Sequence, residues 1–151
     1  MLEVSSAPTI NVELVHPRAR VPTRAYDGDA GYDLRCVDAF TLGVGERAVV
    51  DTGIRIALSA DVAALVVPRS GLAARDGVTV VNGPGLVDPN YRGEIRVVLI
   101  NHGEYEFAAA SGERIAQLLF IPVAAVKLTE GSLAEGEMSA RGTNGFGSSG
   151  R

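Results

Sequence analysis

The sequence predicts an all-β domain, a jelly-roll-like β-sandwich or barrel carrying one short helix. Three observations lead there. Short runs rich in β-branched residues recur along the chain, turn-type residues separate nearly all of them, and 18 glycines with 7 prolines and no tryptophan supply the punctuation such a fold needs. At 151 residues and 46% hydrophobic content, the chain has the length of one domain and enough apolar residues for one core.

In order along the chain, the expected β runs are Asn11 to Val15, Tyr32 to Cys36, Ala48 to Asp51, Ile54 to Leu58 and Ala63 to Val67, then Thr79 to Val81, Ile95 to Asn101, Ile115 to Phe120 and Val123 to Leu128. Each is short, apolar and bounded by residues that tolerate turns. Tyr26-Asp27-Gly28-Asp29, Gly43-Val44-Gly45, Gly83-Pro84-Gly85 and His102-Gly103-Glu104 provide the Gly and Asp that turn geometry favours. One segment, Ser70 to Asp76, breaks the strand pattern: a serine precedes helix-tolerant residues and Gly77 follows as a stop. From about Gly131 the apolar periodicity fades into a Gly/Ser-rich end. The expected division is therefore a domain over residues 1–134 and a flexible C-terminal arm over 135–151. No fixed-period repeat suggests a solenoid or propeller.

Composition also excludes function classes. A single cysteine, Cys36, forms no intrachain disulfide, and 2 histidines are too few for the usual structural zinc sites. The start MLEVSSAP has neither a basic leader nor an apolar segment, and no apolar run approaches the roughly 18 residues that span a bilayer. The expectation is a cytoplasmic protein with no membrane partner. A net charge of -4 argues against a broad surface for DNA or RNA, so any nucleotide it handles should be free and small.

Four stretches are poor core material yet chemically specific: Asp29 to Leu34, Pro68 to Ala73, Gly85 to Ile95 and the glycine-rich tail from Arg141. Arg69-Ser70-Gly71 combines a fixed cation, a hydroxyl and a glycine N–H where a strand yields to a helix, a set that suits a phosphate. The same triplet also reads as an ordinary strand exit with a Ser cap and a solvated Arg. Asp88 and Tyr91 lie in a Pro/Gly/Asn-rich loop between two apolar runs, where an acid serves either as a general base or as a cap on the Asp88-Pro89-Asn90 turn. The tail segment Gly145-Phe146-Gly147-Ser148-Ser149-Gly150 matches the dinucleotide fingerprint G-x-G-x-x-G, but only Arg151 follows it in this sequence, so the strand–helix context of that motif is lacking. Such an arm either closes over a ligand, with Arg141 meeting phosphate and Phe146 stacking on a base, or is simply solvated.

Taken together, from about Pro22 to Gly150, these stretches resemble the five ordered motifs of the homotrimeric dUTP pyrophosphatases, the dUTPases. Ala30-Gly31-Tyr32-Asp33-Leu34 resembles the first and Pro68-Arg69-Ser70-Gly71-Leu72-Ala73 the second. Gly85 to Ile95, with Asp88, Tyr91 and Arg92-Gly93-Glu94-Ile95, resembles the third. Gly112-Glu113-Arg114-Ile115-Ala116-Gln117-Leu118 resembles the fourth and Arg141 to Gly150 the fifth. Asn144 and Ser149 stand where the fifth commonly has glycine and threonine. Asn is the residue other than glycine that best tolerates left-handed backbone, and serine keeps the hydroxyl.

The resemblance implies Mg²⁺-dependent hydrolysis of dUTP to dUMP and pyrophosphate, which keeps uracil out of DNA and supplies dUMP for dTMP synthesis. It implies a homotrimer with active sites at subunit boundaries. By the same carry-over, Asp88 activates the attacking water, Asp33 holds Mg²⁺ through its water shell, and Arg69, Ser70, Gly71 and Gln117 bind the phosphate chain. Asn82 and backbone groups at Leu86 and Val87 pair with the uracil edge in a hairpin from Asn82 to Tyr91, and Tyr91 packs under the deoxyribose and leaves no room for a 2′-hydroxyl. Arg96 is a second substrate contact. Arg141 reaches the γ-phosphate from a neighbouring subunit, and Phe146, Gly147 and Ser148 complete the closing arm. The alternatives are a dCTP deaminase or bifunctional deaminase-dUTPase of the same fold, and a nucleotide-binding regulatory relative without turnover. The deaminase reading lacks a Glu beside the base pocket, and the binding-only reading leaves Asp88 unexplained.

Overall fold

The computed structural model describes residues 7–133, 137 and 139–146. Among these residues are eleven strands and one α-helix: β1 Asn11–Leu14, β2 Tyr32–Arg35, β3 Phe40–Leu42, β4 Arg47–Asp51, β5 Ile54–Ala57, β6 Val62–Val67, α1 Ser70–Asp76, β7 Val78–Val80, β8 Gly85–Val87, β9 Arg96–Asn101, β10 Phe107–Ala109 and β11 Arg114–Pro122. Every pairing is antiparallel. Strand β2 pairs with β11, β3 with β10 and β4 with β9, a nested set that results from rolling one long antiparallel ribbon upon itself. The all-β, jelly-roll-like expectation holds.

The four-stranded sheet β2-β11-β6-β8 carries the stretches that motif reading singled out at Asp33, Gln117 and Leu86. Its inward residues Leu34, Ala64, Val66, Ala116 and Leu118 join Leu42, Ile54, Val78, Val97 and Leu99 in one hydrophobic cluster. Burying each Leu, Ile or Val side chain contributes about 1.5–3 kcal/mol, so this cluster is what holds the short strands together. Buried Asn101 fits the core because its amide donates to the carbonyls of Leu42 at 2.9 Å and Tyr105 at 2.8 Å and accepts the Gly103 N–H at 2.8 Å.

The structure departs from the sequence expectation at identifiable places. Strands β3, β8 and β10 are 3 residues each, too short for a period-2 pattern to register. The Val123 to Leu128 run is not a strand. Val123 N–H reaches Asp61 O at 2.8 Å, beyond it no ladder is assigned, and Val126 and Leu128 are 75% and 92% exposed. Apolar alternation alone is not a strand without a neighbour to pair with. The helix falls at Ser70–Asp76 as expected, and Gly77 ends it in the left-handed conformation at φ 66. Its N-cap, however, is Arg69 with no side-chain cap bond, so Ser70 is the first helical residue rather than a cap. Among the described residues, no helix is long and apolar enough to cross a membrane.

Candidate active site

The first half of the site is a row across the four-stranded sheet. Asp33 on β2 lies directly opposite Gln117 on β11, and Gln117 lies opposite Val67 at the end of β6. Opposed residues share one face, so the ladder sets the Asp33 and Gln117 side chains beside each other. The chain then leaves β6 through Pro68 and delivers Arg69, Ser70 and Gly71 at the end of that row.

Asp33 is 8% exposed, and its carboxylate lies between two guanidinium groups, with Arg69 Nε at 4.0 Å and Arg114 Nη1 at 3.4 Å. Arg69 also donates from Nη1 to the Arg114 carbonyl at 2.8 Å, which locks the two arginines together. Burial depresses the Arg69 pKa and the charge of Arg114 depresses it further, Asp33 only partly offsetting them; Arg75 and Arg35 act in the same direction as Arg114. Arginine stays protonated regardless, so this is a cluster of like charges held against one acid, which an incoming polyanion relieves. The site thereby gains Arg114, which motif reading alone did not single out. Its side chain is visible as relevant only once the β2–β11 register is known.

Close approach explains Gly31. A Cβ there would lie 3.1 Å from Gln117 Cδ, so the absence of a side chain gives the amide its place. Ala25, Asp29, Ala30, Gly31, Asp33 and Gln117 line a cavity of about 330 Å³.

The second half of the site lies along residues 82–96. The expected hairpin from Asn82 to Tyr91 is not a self-paired unit: β8 pairs with β6, matching Ala64 with Val87 and Val66 with Gly85, while β7 pairs with β9. Strand β8 is consequently an edge strand of the four-stranded sheet. An edge strand directs part of its backbone N–H and C=O groups outward, unpaired, which is what reading a base edge requires. Leu86 is 61% exposed and Val87 is buried beneath it.

Beyond β8 the chain turns. Tyr91 N–H donates to Asp88 O at 3.0 Å, so Asp88 and Tyr91 are the first and fourth residues of one β-turn with Pro89 second. Asp88 is exposed and Tyr91 is 43% exposed, its hydroxyl donating to Glu94 O at 2.9 Å. Asn82, Leu86, Val87, Asp88, Tyr91 and Arg96 all line one cavity of about 370 Å³. It shares no lining residue with the cavity beside Asp33. Glu94 lines it too, correcting the expectation that no Glu stands there; its Oε1 accepts the Gly53 N–H at 2.8 Å.

The structure brings neither Arg141 nor Phe146 to these cavities. Arg141 Nε donates to Asn144 O at 2.8 Å, and Asn144 N–H donates back to Arg141 O at 3.2 Å. Within the described part of the arm, positive φ occurs at Gly142, φ 56, and at Phe146, φ 31, whose ring is fully exposed. Gly147, Ser148 and Ser149 lie outside the described residues. No group of three or more His, Cys, Asp or Glu side chains suited to a metal ion occurs among the described residues. Among the described residues the cavity beside Asp33 is lined by two carboxylates, Asp33, flanked by arginines, and Asp29, which accepts the Tyr26 N–H at 3.0 Å. That donor set fits Mg²⁺ carried in by phosphate oxygens and water rather than caged by protein.

The family model described as dUTPase matches residues 17–150. The deoxyuridine 5'-triphosphate nucleotidohydrolase of Clostridium novyi (strain NT) is 45% identical over 139 residues, covering 92% of this chain and 96% of that protein. The protein of the same name from Leifsonia xyli subsp. xyli (strain CTCB07) is 49% identical over 144 residues, covering 94% and 91%. Among solved structures, the Staphylococcus bacteriophage 80alpha dUTPase with dUPNHPP superposes with a TM-score of 0.88 at 28% identity, covering 95% of this chain and 99% of that one.

Proposed function

The chain belongs to the dUTPase family, and from that premise we propose how its two cavities act on a single molecule of dUTP. The activity is that of a dUTP diphosphatase: dUTP and water give dUMP and pyrophosphate. The observation that carries the assignment of residues is that Asp88 and Tyr91, the ends of one hydrogen-bonded turn, both line the cavity beside edge strand β8.

In this reading uracil lies against β8, where Asn82 and the outward backbone of Leu86 and Val87 meet its edge. The Tyr91 ring, tethered through its hydroxyl, packs under the deoxyribose and refuses a 2′-hydroxyl. Asp88 takes a proton from the water that attacks the α-phosphorus, and the bond to the β-phosphate oxygen breaks. Arg69, Ser70, Gly71 and Gln117 donate to phosphate oxygens as charge moves onto the leaving pyrophosphate. Arg96 adds a contact at the rim of the nucleoside cavity. Asp33 would hold Mg²⁺ through water, and the ion would supply charge neutralisation to the triphosphate. Arg141 and Phe146, with Gly147 and Ser148, close over the nucleotide.

The separation of the two cavities supports sites assembled at the boundaries of a trimer, one copy supplying the phosphate half and a neighbour the nucleoside half. Two further observations favour assembly. An apolar cavity of about 700 Å³, lined by Val12, Val21, Tyr32, Ile56, Leu118 and Phe120 among others, opens on the surface, and Val126 and Leu128 project from a stretch without a ladder. We place the domain over 1–134 and the closing arm over 135–151.

The test is pyrophosphate release with dUTP, dCTP, dTTP and UTP, with and without Mg²⁺, while ammonia is followed. Release from dUTP alone, requiring Mg²⁺ and without ammonia, is the expected result. Ammonia from dCTP would overturn the reading in favour of a deaminase.

A further inference from the structure

Arg92 has no assigned role in either half of the site, yet its guanidinium is held by three backbone carbonyls. Nη1 donates to Pro89 O at 2.7 Å and to Tyr91 O at 2.8 Å, while Nη2 donates to Leu58 O at 3.3 Å. The first two acceptors belong to the turn that carries Asp88 and Tyr91. The third belongs to a residue only 5% exposed, immediately after β5 and part of the core cluster. The side chain lies along the β1–β5 ladder, where it lines a cavity with Val12, Glu13, Arg55 and Ile56.

The neighbours of Arg92 tighten the same segment. A Cβ on Gly93 would fall 2.6 Å from Tyr91 Cζ, so that glycine gives the Tyr91 ring room to reach Glu94 O. Glu94 holds the Gly53 N–H between β4 and β5, and Thr52 Oγ1 donates to Ile95 O. The Glu94 and Ile95 bonds reach Gly53 and Thr52, just before β5, whereas Arg92 reaches Leu58, just after it. Among the described residues, Arg92 is the side chain that donates to the turn carbonyls of Pro89 and Tyr91.

Resting on the reading that Asp88 and Tyr91 act on dUTP, we propose that Arg92 is a positioning residue for both. It braces the Asp88–Tyr91 turn against Leu58, so that one guanidinium sets the position of the base and of the ring that reads the sugar. The planar fork is needed because acceptors lie on two sides of it; a lysine ammonium, a point donor on a flexible stem, cannot span them with the same rigidity. Displacement of about 1 Å at a reacting group can cost about 10²-fold in rate, so a loosened turn affects turnover and sugar discrimination together.

The test compares wild type, Arg92→Ala and Arg92→Lys by two readouts. One is amide hydrogen exchange at Tyr91, with Val97 and Leu99 of β9 as internal references. The other is the ratio of kcat/KM for dUTP to that for UTP. The expectation for Arg92→Ala is Tyr91 exchange faster by on the order of tenfold with the β9 amides unchanged, and a dUTP/UTP ratio and kcat each lower by about tenfold or more. Arg92→Lys should be intermediate in both, and it answers the question if Arg92→Ala does not fold. Unchanged Tyr91 exchange would overturn the brace. Faster exchange with an unchanged ratio would make Arg92 a structural tie alone and would equally overturn the proposal. A wild-type protein that fails to prefer dUTP over UTP would defeat the assignment of Tyr91, while the exchange comparison would still decide whether Arg92 braces the turn.

Discussion

The proposed phosphate half and the proposed nucleoside half flank the same strand, β6, but are built by different means. In the phosphate half, register does the positioning: the row Asp33, Gln117, Val67 is fixed by two ladders, and the arginines are locked to Asp33 and to each other. In the nucleoside half the strand is only 3 residues long, and turn hydrogen bonds with the Arg92 fork set the geometry. Each half is therefore vulnerable in its own way. A sheet-borne cluster loses charge when a side chain is changed but keeps its shape, whereas a turn-borne pair loses its shape when a single tether goes.

That contrast is open to direct attack. The largest effect should come from Asp88→Asn, which removes the base while keeping size and turn-forming character. kcat should fall by about 10² to 10⁴, the range for a lost general base, with nucleotide binding retained. Single-turnover assays and isothermal titration of a non-hydrolysable dUTP analogue check both parts. Next, deleting residues 141–151 should leave the domain folded, because the backbone bonds within 139–146 join those residues to one another: Gly142 N–H to Ser139 O at 2.9 Å and Asn144 N–H to Arg141 O at 3.2 Å. kcat/KM should nevertheless drop by about 10²-fold through loss of closure and of the Arg141 charge. Thermal melting beside steady-state kinetics separates the two; a chain that unfolds on truncation would assign the arm to the core.

A smaller effect should come from Arg69→Ala, and it bears on whether the halves act separately. Losing this charge-assisted donor should weaken dUTP binding by about 10-fold to 10²-fold. It should leave binding of deoxyuridine, which has no phosphates, unchanged. Asn82→Ala should weaken both ligands. If Arg69→Ala weakened deoxyuridine as much as dUTP, the two halves would not be separable in the way described.

The two halves were also unequally legible. The nucleoside half is local in sequence: Asp88, Tyr91 and Arg92 sit within a few residues, and their Pro/Gly/Asn surroundings mark a turn. What sequence could not reveal there is that Gly85–Val87 is an edge strand on β6 and not one arm of a hairpin, since a 3-residue strand carries no periodic signal. The phosphate half reverses this. Its residues come from β2, from β11 and from the end of β6, far apart in the chain, and the involvement of Arg114 depends on a register with a bulge between Arg114 and Ala116. The longer strands, the helix and its glycine stop were readable because each has a local cause. Val123 to Leu128 misled for the complementary reason: its apolar residues satisfy a pattern, but pairing is not a property of one segment.

The proposal that half-sites from different copies of the chain meet on one nucleotide is tested most directly by mixing impaired variants. Arg69→Ala and Asp88→Asn chains are unfolded together, refolded as equal mixtures and assayed for pyrophosphate release at dUTP far below saturation, where the first alone should retain about 1–10% of wild-type activity and the second less. If the phosphate half and the nucleoside half come from different subunits, random assembly restores both intact halves at about one quarter of the sites, and activity should recover to roughly that fraction of wild type. A mixture no more active than its parents, from chains shown to co-assemble, would place both halves in one subunit and contradict the account.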